Sequence, residues 1–403
     1  MDLSWATLRA PLLWLWNRIR GRPTVHAERS VAAGGDQTMR GAVVTAERGA
    51  AASEHGAVAL SGGLAISSTG PTLVVGTLNI YVDGLPQAAR EVRDHFEEGQ
   101  RLQEAHEHGK AIAEFEAALA TADTDARRGA LHLHIGISHS LSGRLPQAEG
   151  SYMEALRLFM AAADEEGQAQ TLGNLGIVFD ARGDLDRAEE HYKQALEIHR
   201  RIDNPFGQAQ DLGNLGLVFD ARGDLDKAEE HFKQSLKIHR RIDNPLGQAN
   251  QLGNLGNVYL QRGDLERAEE QHKQALKIDR RIDNPLGQAQ DLGNLGVVYR
   301  RRGDLDKAEE HYKQALEIHR RIDNPLGQAS QLGNLSLLAV RRGHSDEARR
   351  LLTEALALYE RMGAGGEGPD NVRAALRRLE EAGEEKKPRR PARKRKDQEP
   401  PAG

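Results

Sequence analysis

The sequence predicts an all-α solenoid, and three observations predict it. A block of forty residues recurs without a gap at Gly167 to Phe206, Gly207 to Leu246, Gly247 to Leu286 and Gly287 to Leu326, and in looser form at Gly327 to Gly366. Each block holds two stretches whose apolar residues return at helical spacing. Glycine, asparagine and proline punctuate the same places in the four strict copies. A period of this length marks a stack of like supersecondary units, none of which can bury its apolar face alone.

Within the copy that starts at Gly207, the first helix is carried by Gln210 to Arg222, with Leu212, Leu215, Val218 and Phe219 on one face. The second is carried by Asp224 to Arg241, with Leu225, Ala228, Phe232, Leu236 and Ile238 on one face. Gly223 falls where the first helix must end, because glycine tolerates the left-handed conformation, and Asp224 is placed to cap the second. Asn244 and Pro245 restart the pattern as cap and first helical residue. Gly216 and Ala228 are small residues on the apolar faces, which lets helices approach toward the lower end of the usual ~8–10 Å interaxial distance.

The spaced large, small and aromatic residues Leu212, Leu215, Gly216, Phe219, Gly223, Ala228, Phe232 and Ala275 (Ser235 in this copy) resemble those of the tetratricopeptide repeat. That family's usual unit has about thirty-four residues. The forty here resemble the lengthened Leu-Gly-Asn and kinesin-light-chain subtype, whose LGNLG string stands at Leu212 to Gly216. Two weaker units precede the strict copies: Arg127 to Glu166 keeps Gly136, Gly143, Ala148, Tyr152, Ala155 and Leu156 in register, and roughly Ala89 to Ala122 keeps Ala111, Phe115, Ala118 and Leu119. The resemblance implies a right-handed α-solenoid of about seven helix-turn-helix units over residues 85–366.

Composition fits such an array: 29% of residues are charged, only 4% are aromatic, and the formal net charge is −5, which suits wide solvated helix faces. With no cysteine, disulfides, thiolate metal sites and cysteine nucleophiles are excluded, and a reducing, cytoplasmic setting is expected. No run of eighteen apolar residues occurs, so no ordinary membrane-spanning helix is expected.

The ends differ from the array. Residues 1–22 hold all three tryptophans, and Trp5, Trp14 and Trp16 stand among leucines beside Arg9, Arg18 and Arg20. Residues 3–20 suit contact with a membrane surface, packing on the first repeats, or a partner-binding segment. Residues 23–84 are rich in glycine and alanine, and read either as a small β segment, with Thr77 to Val82 the clearest strand, or as a low-complexity linker. Residues 367–385 carry Val372, Ala375, Leu376 and Leu379 on one face, as a terminal capping helix requires. Residues 386–403 read as a disordered tail, since the stretch Lys386 to Lys396 has eight basic and no acidic residues, leaving −13 elsewhere. Such a run supports weak nucleic-acid or anionic-surface contact by residues 386–396.

In the family the first helix of each unit lines a concave surface, so the resemblance implies a groove. The positions concerned fall four, three and four apart, one stripe on that helix. They are Gln170, Asn174, Ile177 and Ala181; Gln210, Asn214, Leu217 and Ala221; Asn250, Asn254, Asn257 and Gln261; Gln290, Asn294, Val297 and Arg301; and Ser330, Asn334, Leu337 and Arg341. An asparagine offers a donor and an acceptor together, which matches the peptide group of an extended ligand, and relatives of this subtype hold peptide backbone with such a ladder. Each amide can equally bond within its own repeat or to the next. Between the second and fourth strict copies, Leu217 becomes Val297, Asp220 becomes Arg300 and Ala221 becomes Arg301. Together with Asp180 at the early end and Arg341 at the late end, this gives the stripe an acidic and a basic end, which would orient a charged peptide.

No catalytic constellation, metal site or cofactor motif is expected. His191, His231 and His311, with His199, His239 and His319 eight residues on, lack the one-turn spacing of shared metal ligands and read as surface residues of the second helix. The expected function is therefore a non-enzymatic adaptor or scaffold that takes a partner's peptide or helix in the groove. The alternatives are a self-assembling homo-oligomer driven by the N-terminal segment or the stack ends, and anionic-polymer binding by the tail.

Overall fold

The computed structural model describes residues 87–363 and 367–385. Among the described residues there are fifteen α-helices and no strand. In order they are α1 (Gln87–Glu104), α2 (His108–Thr121), α3 (Asp125–Leu141), α4 (Leu145–Ala161), α5 (Glu165–Ala181), α6 (Leu185–Arg201), α7 (Pro205–Arg222), α8 (Leu225–Arg241), α9 (Pro245–Arg262), α10 (Leu265–Arg281), α11 (Pro285–Arg302), α12 (Leu305–Arg321), α13 (Pro325–Arg341), α14 (Ser345–Arg361) and α15 (Glu367–Glu385). They form seven consecutive helix-turn-helix pairs followed by α15, the all-helical repeat architecture expected. The N-terminal segments 1–22 and 23–84 and the basic tail 386–403 lie outside the described residues. Two compact units divide after Ile318, inside α12.

In the first unit, the punctuation does what its chemistry predicts. The Asn204, Asn244 and Asn284 side chains accept from the backbone N–H of Gly207, Gly247 and Gly287 at 2.9, 3.0 and 3.2 Å, with proline at the first turn of α7, α9 and α11. Gly223 closes α7 in the left-handed region at φ 78°, and Asp224 caps α8 through the N–H of Lys227. The second helices end by another device. Asp203, Asp243 and Asp283 take φ of 52°, 49° and 51°, a conformation that aspartate tolerates better than most residues.

Two glycine contacts per repeat set the packing. Within a repeat, a ring of the second helix lies against a glycine of the first: Tyr152 on Gly136, Tyr192 on Gly176, Phe232 on Gly216, His272 on Gly256 and Tyr312 on Gly296. A methyl at Gly216 would sit 2.5 Å from the Phe232 ring, so no larger residue fits there without displacement. Between repeats, a residue from the end of the second helix lies against the glycine that opens the next first helix: Phe159 on Gly167, His199 on Gly207, His239 on Gly247 and Asp279 on Gly287. These contacts bring Leu175, Leu215, Leu252 and Leu255 and the aromatic rings into one continuous core that crosses the repeat boundaries.

Ion pairs tie the outer edge of successive repeats. Arg182 meets Glu149, Arg222 meets Glu189 and Asp186, Arg262 meets Glu229 and Asp226, and Arg302 meets Glu269. The Tyr259 and Tyr299 hydroxyls donate to Glu229 and Glu269 at 2.7 and 2.6 Å. Glu189 is therefore a bridge between repeats.

The second unit repeats the scheme with looser residues. His319 lies against Gly327, Asn324 caps α13, and Leu332, Leu335 and Leu338 join Ala348, Leu352 and Ala355 in its interior. α15 packs on α14 and buries Val372, the kind of apolar contact a terminal helix needs.

Gly216→Ala is expected to destabilise the protein by about 1–3 kcal/mol through overpacking against Phe232. Gly150→Ala, in the exposed interior of α4 with nothing within 4 Å of the added methyl, is expected to stabilise it by roughly 0.5–1 kcal/mol. Urea unfolding of both variants checks the opposite signs.

Candidate functional site

The stripe of first-helix residues is graded in accessibility. On α5, Asn174, Ile177 and Asp180 are all buried, Asn174 with 0% of its surface exposed, and Gln170 is half-buried. On α7, Gln210 and Asn214 are buried, while Leu217 and Asp220 are half-buried. On α9, Asn254 is buried, Asn250 and Asn257 are half-buried, and Gln261 is exposed. On α11, Gln290, Asn294, Val297 and Arg300 are half-buried and Arg301 is exposed. In the second unit, Asn334 and Leu337 are half-buried and Arg341 is exposed.

The five asparagines are thus unequal. Asn174 and Asn214 are enclosed and already engaged inside the protein, and a ligand could reach them only by repacking their neighbours. Asn254 and Asn334 make long contacts to Gln251 and Gln331 of their own helices, at 3.5 and 3.4 Å. Asn294 faces a small hollow. The accessible polar wall therefore lies on α9 and α11 within the first unit.

The expected charge axis is also partly spent internally. Burial pushes the Asp180 carboxyl up to about 6, so it stays mostly ionised at neutral pH and loses its charge in mild acid. Asp220 accepts from the Gln261 amide at 2.7 Å, and Arg301 donates to the Leu260 carbonyl at 2.6 Å, so both stitch one repeat to the next.

The histidines at the ends of the second helices correct the sequence reading. His199, His239 and His319 are buried, at 1%, 4% and 3% exposure, because their rings fill the space against a glycine. His199 Nδ1 lies 2.6 Å from Asp211 Oδ2; burial pushes that carboxyl up to about 6, and the hydrogen bond from His199 opposes the rise. Burial holds His239 and His319 down at about 4. His191, His231 and His311 are half-buried and stack near Phe179, Phe219 and Tyr299.

The copy from Gly247 to Leu286 departs at both glycine contacts. His272 stands where the other strict copies have Tyr192, Phe232 and Tyr312, and Asp279 where they have His199, His239 and His319. Both meet Asp291 of α11: His272 Nδ1 is 3.2 Å from Asp291 Oδ1, and the Asp279 carboxyl is near enough to Asp291 for the charge of one to disfavour ionisation of the other. Asn284 donates to Asp279 Oδ1 at 2.9 Å, whereas Asp291 Oδ2 and His272 Nε2 are buried without a hydrogen-bond partner. Burial pushes Asp279 up to about 7 and Asp291 well above the usual carboxylate range, and drives His272 down to about 3. The two acids floor the hollow, with Asn250, Gln290 and Asn294 of the polar wall around it. Among the described residues no cluster of histidine and carboxylate side chains could hold a metal ion.

A family model described as tetratricopeptide repeat matches residues 127–201, and one described as the MalT-like TPR region matches residues 201–365. The chain is a tetratricopeptide-repeat protein. Its fold is similar to the apo form of RapI, at 14% identity over 68% of this chain and 100% of that one with a TM-score of 0.57. It is also similar to aspartyl phosphate phosphatase F from Bacillus subtilis, at 12% identity over 70% and 73% of the two chains with a TM-score of 0.57. No curated protein matches the repeat protein significantly.

The titratable groups facing one another at this junction are His272, Asp279 and Asp291. An acid whose folded pKa is raised contributes its full stability below its unfolded value of 3.8 and loses it as pH climbs through about 7; His272, lowered to about 3, costs stability as pH falls below 6.5, and that cost is common to parent and variant and cancels in their difference. Asp279→Asn is therefore expected to gain about 1–3 kcal/mol relative to the parent protein between about pH 5 and pH 8. Urea melts at several pH values check this, and an unchanged difference would remove the shared proton.

Proposed function

We propose that this tetratricopeptide-repeat protein is a non-enzymatic adaptor that binds an extended peptide or helix of a partner protein along its first-helix wall, as the forty-residue subtype does. The observation that carries this reading is the accessible polar surface of Asn250, Asn257, Gln261, Gln290, Asn294, Arg300 and Arg301, which offers amide donors and acceptors beside the apolar Val297 and Leu217. Such a surface matches main-chain amides while the repeats hold it rigid, which lowers the ordering cost of binding. The enclosed Asn174 and Asn214 serve this function as structural supports, and the accessible wall begins at Asn250. Repeat proteins of this kind are in general binding modules, and we assign the protein to the cytoplasm on its lack of cysteine.

Selection of random peptides on the full-length protein tests the reading. Enriched peptides are expected to bind the double variant Asn257→Ala, Asn294→Ala at least about tenfold more weakly, with helicity unchanged by circular dichroism. Equal affinity for the variant, or no enrichment, would overturn the wall as the binding surface.

A further inference from the structure

We propose that the hollow between α9 and α11 is a subsite for a primary ammonium group, the side chain of a lysine in the bound peptide. This rests on the wall being the peptide-binding surface. Four observations converge on it. The hollow has room for one water-sized group, and its floor is formed by Asp279 and Asp291. Asp291 is 5% exposed, and its Oδ2 is buried without a hydrogen-bond partner. The rim carries the side-chain amides of Asn250, Gln290 and Asn294, whose oxygens are acceptors. Gly253 and Gly287 also line it; a methyl group at Gly287 would run into Asp279, and one at Gly253 would touch Asp291 at ordinary contact distance.

Comparison of the repeat junctions isolates the feature. At the junction before it, His239 stands opposite Gln251, a neutral pair at neutral pH; one further back, His199 hydrogen-bonds Asp211. Only between the copies starting at Gly247 and Gly287 do two carboxyls oppose each other in the strict first-unit copies. Two acids at this range cannot both ionise in a buried site unless a cation joins them, so a proton holds them together in the free protein.

An ammonium group replaces that proton. It is compact, carries one positive charge and has three donors, enough for both carboxylates and one rim amide. A guanidinium is a wide planar fork and does not enter a hollow that fits one water. A hydroxyl fits but leaves the second carboxylate uncompensated, and anions are repelled. Binding therefore releases one proton into solvent and strengthens as pH rises. His272 faces the pair from α10 and stays neutral, donating to Asp291 from Nδ1.

The test uses the full-length protein and small probes in place of a natural ligand. n-Butylammonium chloride is expected to raise the melting temperature in a saturable way, more at pH 8 than at pH 5.5. Calorimetry in buffers of different ionisation enthalpy should register close to one proton released per ammonium bound. Asp279→His restores the residue found at 199 and 239, so the junction keeps a side chain already accommodated against glycine. That variant should bind n-butylammonium at least about tenfold more weakly and release no proton. If Asp279→His fails to fold, Asp291→Asn gives the same reading with its volume conserved.

Tetramethylammonium, equally charged but without N–H donors, should have no saturable effect. A matching response to it, or equal binding by the parent and both variants, would overturn the subsite. Acetylated Gly-Ala-Lys-Ala-Gly amide should bind better than its arginine counterpart and better than a lysine-free peptide with a free amino terminus. Equal binding of either would overturn the assignment to a lysine side chain. Peptides selected on the wall that lack lysine yet bind with the affinity of lysine-containing ones would sink the subsite and leave the wall standing.

Discussion

The seating of one side chain on one glycine governs this protein. Each repeat has two such seats, one inside the helix pair and one at the joint to the next pair, and each brings a helix too close for any β-carbon. Because solenoid stability is a sum of terms within repeats and terms between neighbours, these two contacts determine both terms at once. Enclosure still varies along the array: Asn174 and Asn214 are buried, although they occupy the same repeat position as the half-buried Asn294.

Most of the fold was legible in the residues. Period, apolar spacing and turn punctuation all point to the same helix pairs, and each is a local signal that needs no knowledge of the partner repeat. The Asn244 cap, the Pro245 start and the left-handed Gly223 occur where their chemistry demands. The site was less legible because exposure is a property of the stack. Helical periodicity gives the direction of a side chain from its own axis and says nothing about how closely the neighbouring first helix approaches. The stripe is one face by periodicity alone, and which of its amides are enclosed and which accessible follows from the stack.

The histidines illustrate a different failure. Polar type and second-helix position suggested that His199 and His239 lie at the surface, yet a neutral imidazole is a flat ring of useful size for filling the space above a glycine. Burial favours the neutral form of His239, and a polar partner at one ring nitrogen, Asn244 for His239 and Asp211 for His199, offsets the cost of enclosing each ring. The signal that identifies the hollow was present in the sequence all the same. His272 and Asp279 interrupt an otherwise faithful copy, and in a chain of near-identical repeats such interruptions are the places where selection or drift has altered one junction alone.

That junction joins stability to binding through a single charge balance. A proton between Asp279 and Asp291 is needed for the free protein to stack well, and a ligand cation can take its place without opening the joint. The same acids that weaken the stack as pH rises then make it more receptive to an ammonium group, because the site is emptied of its own counter-charge. Any such ligand would stabilise the α9–α11 contact and bind to the wall in one event. A junction with His199 and Asp211 cannot do this, since its acid already has a permanent partner 2.6 Å away. The departure in the third strict copy thus exchanges a fixed internal pair for one that an external group can complete.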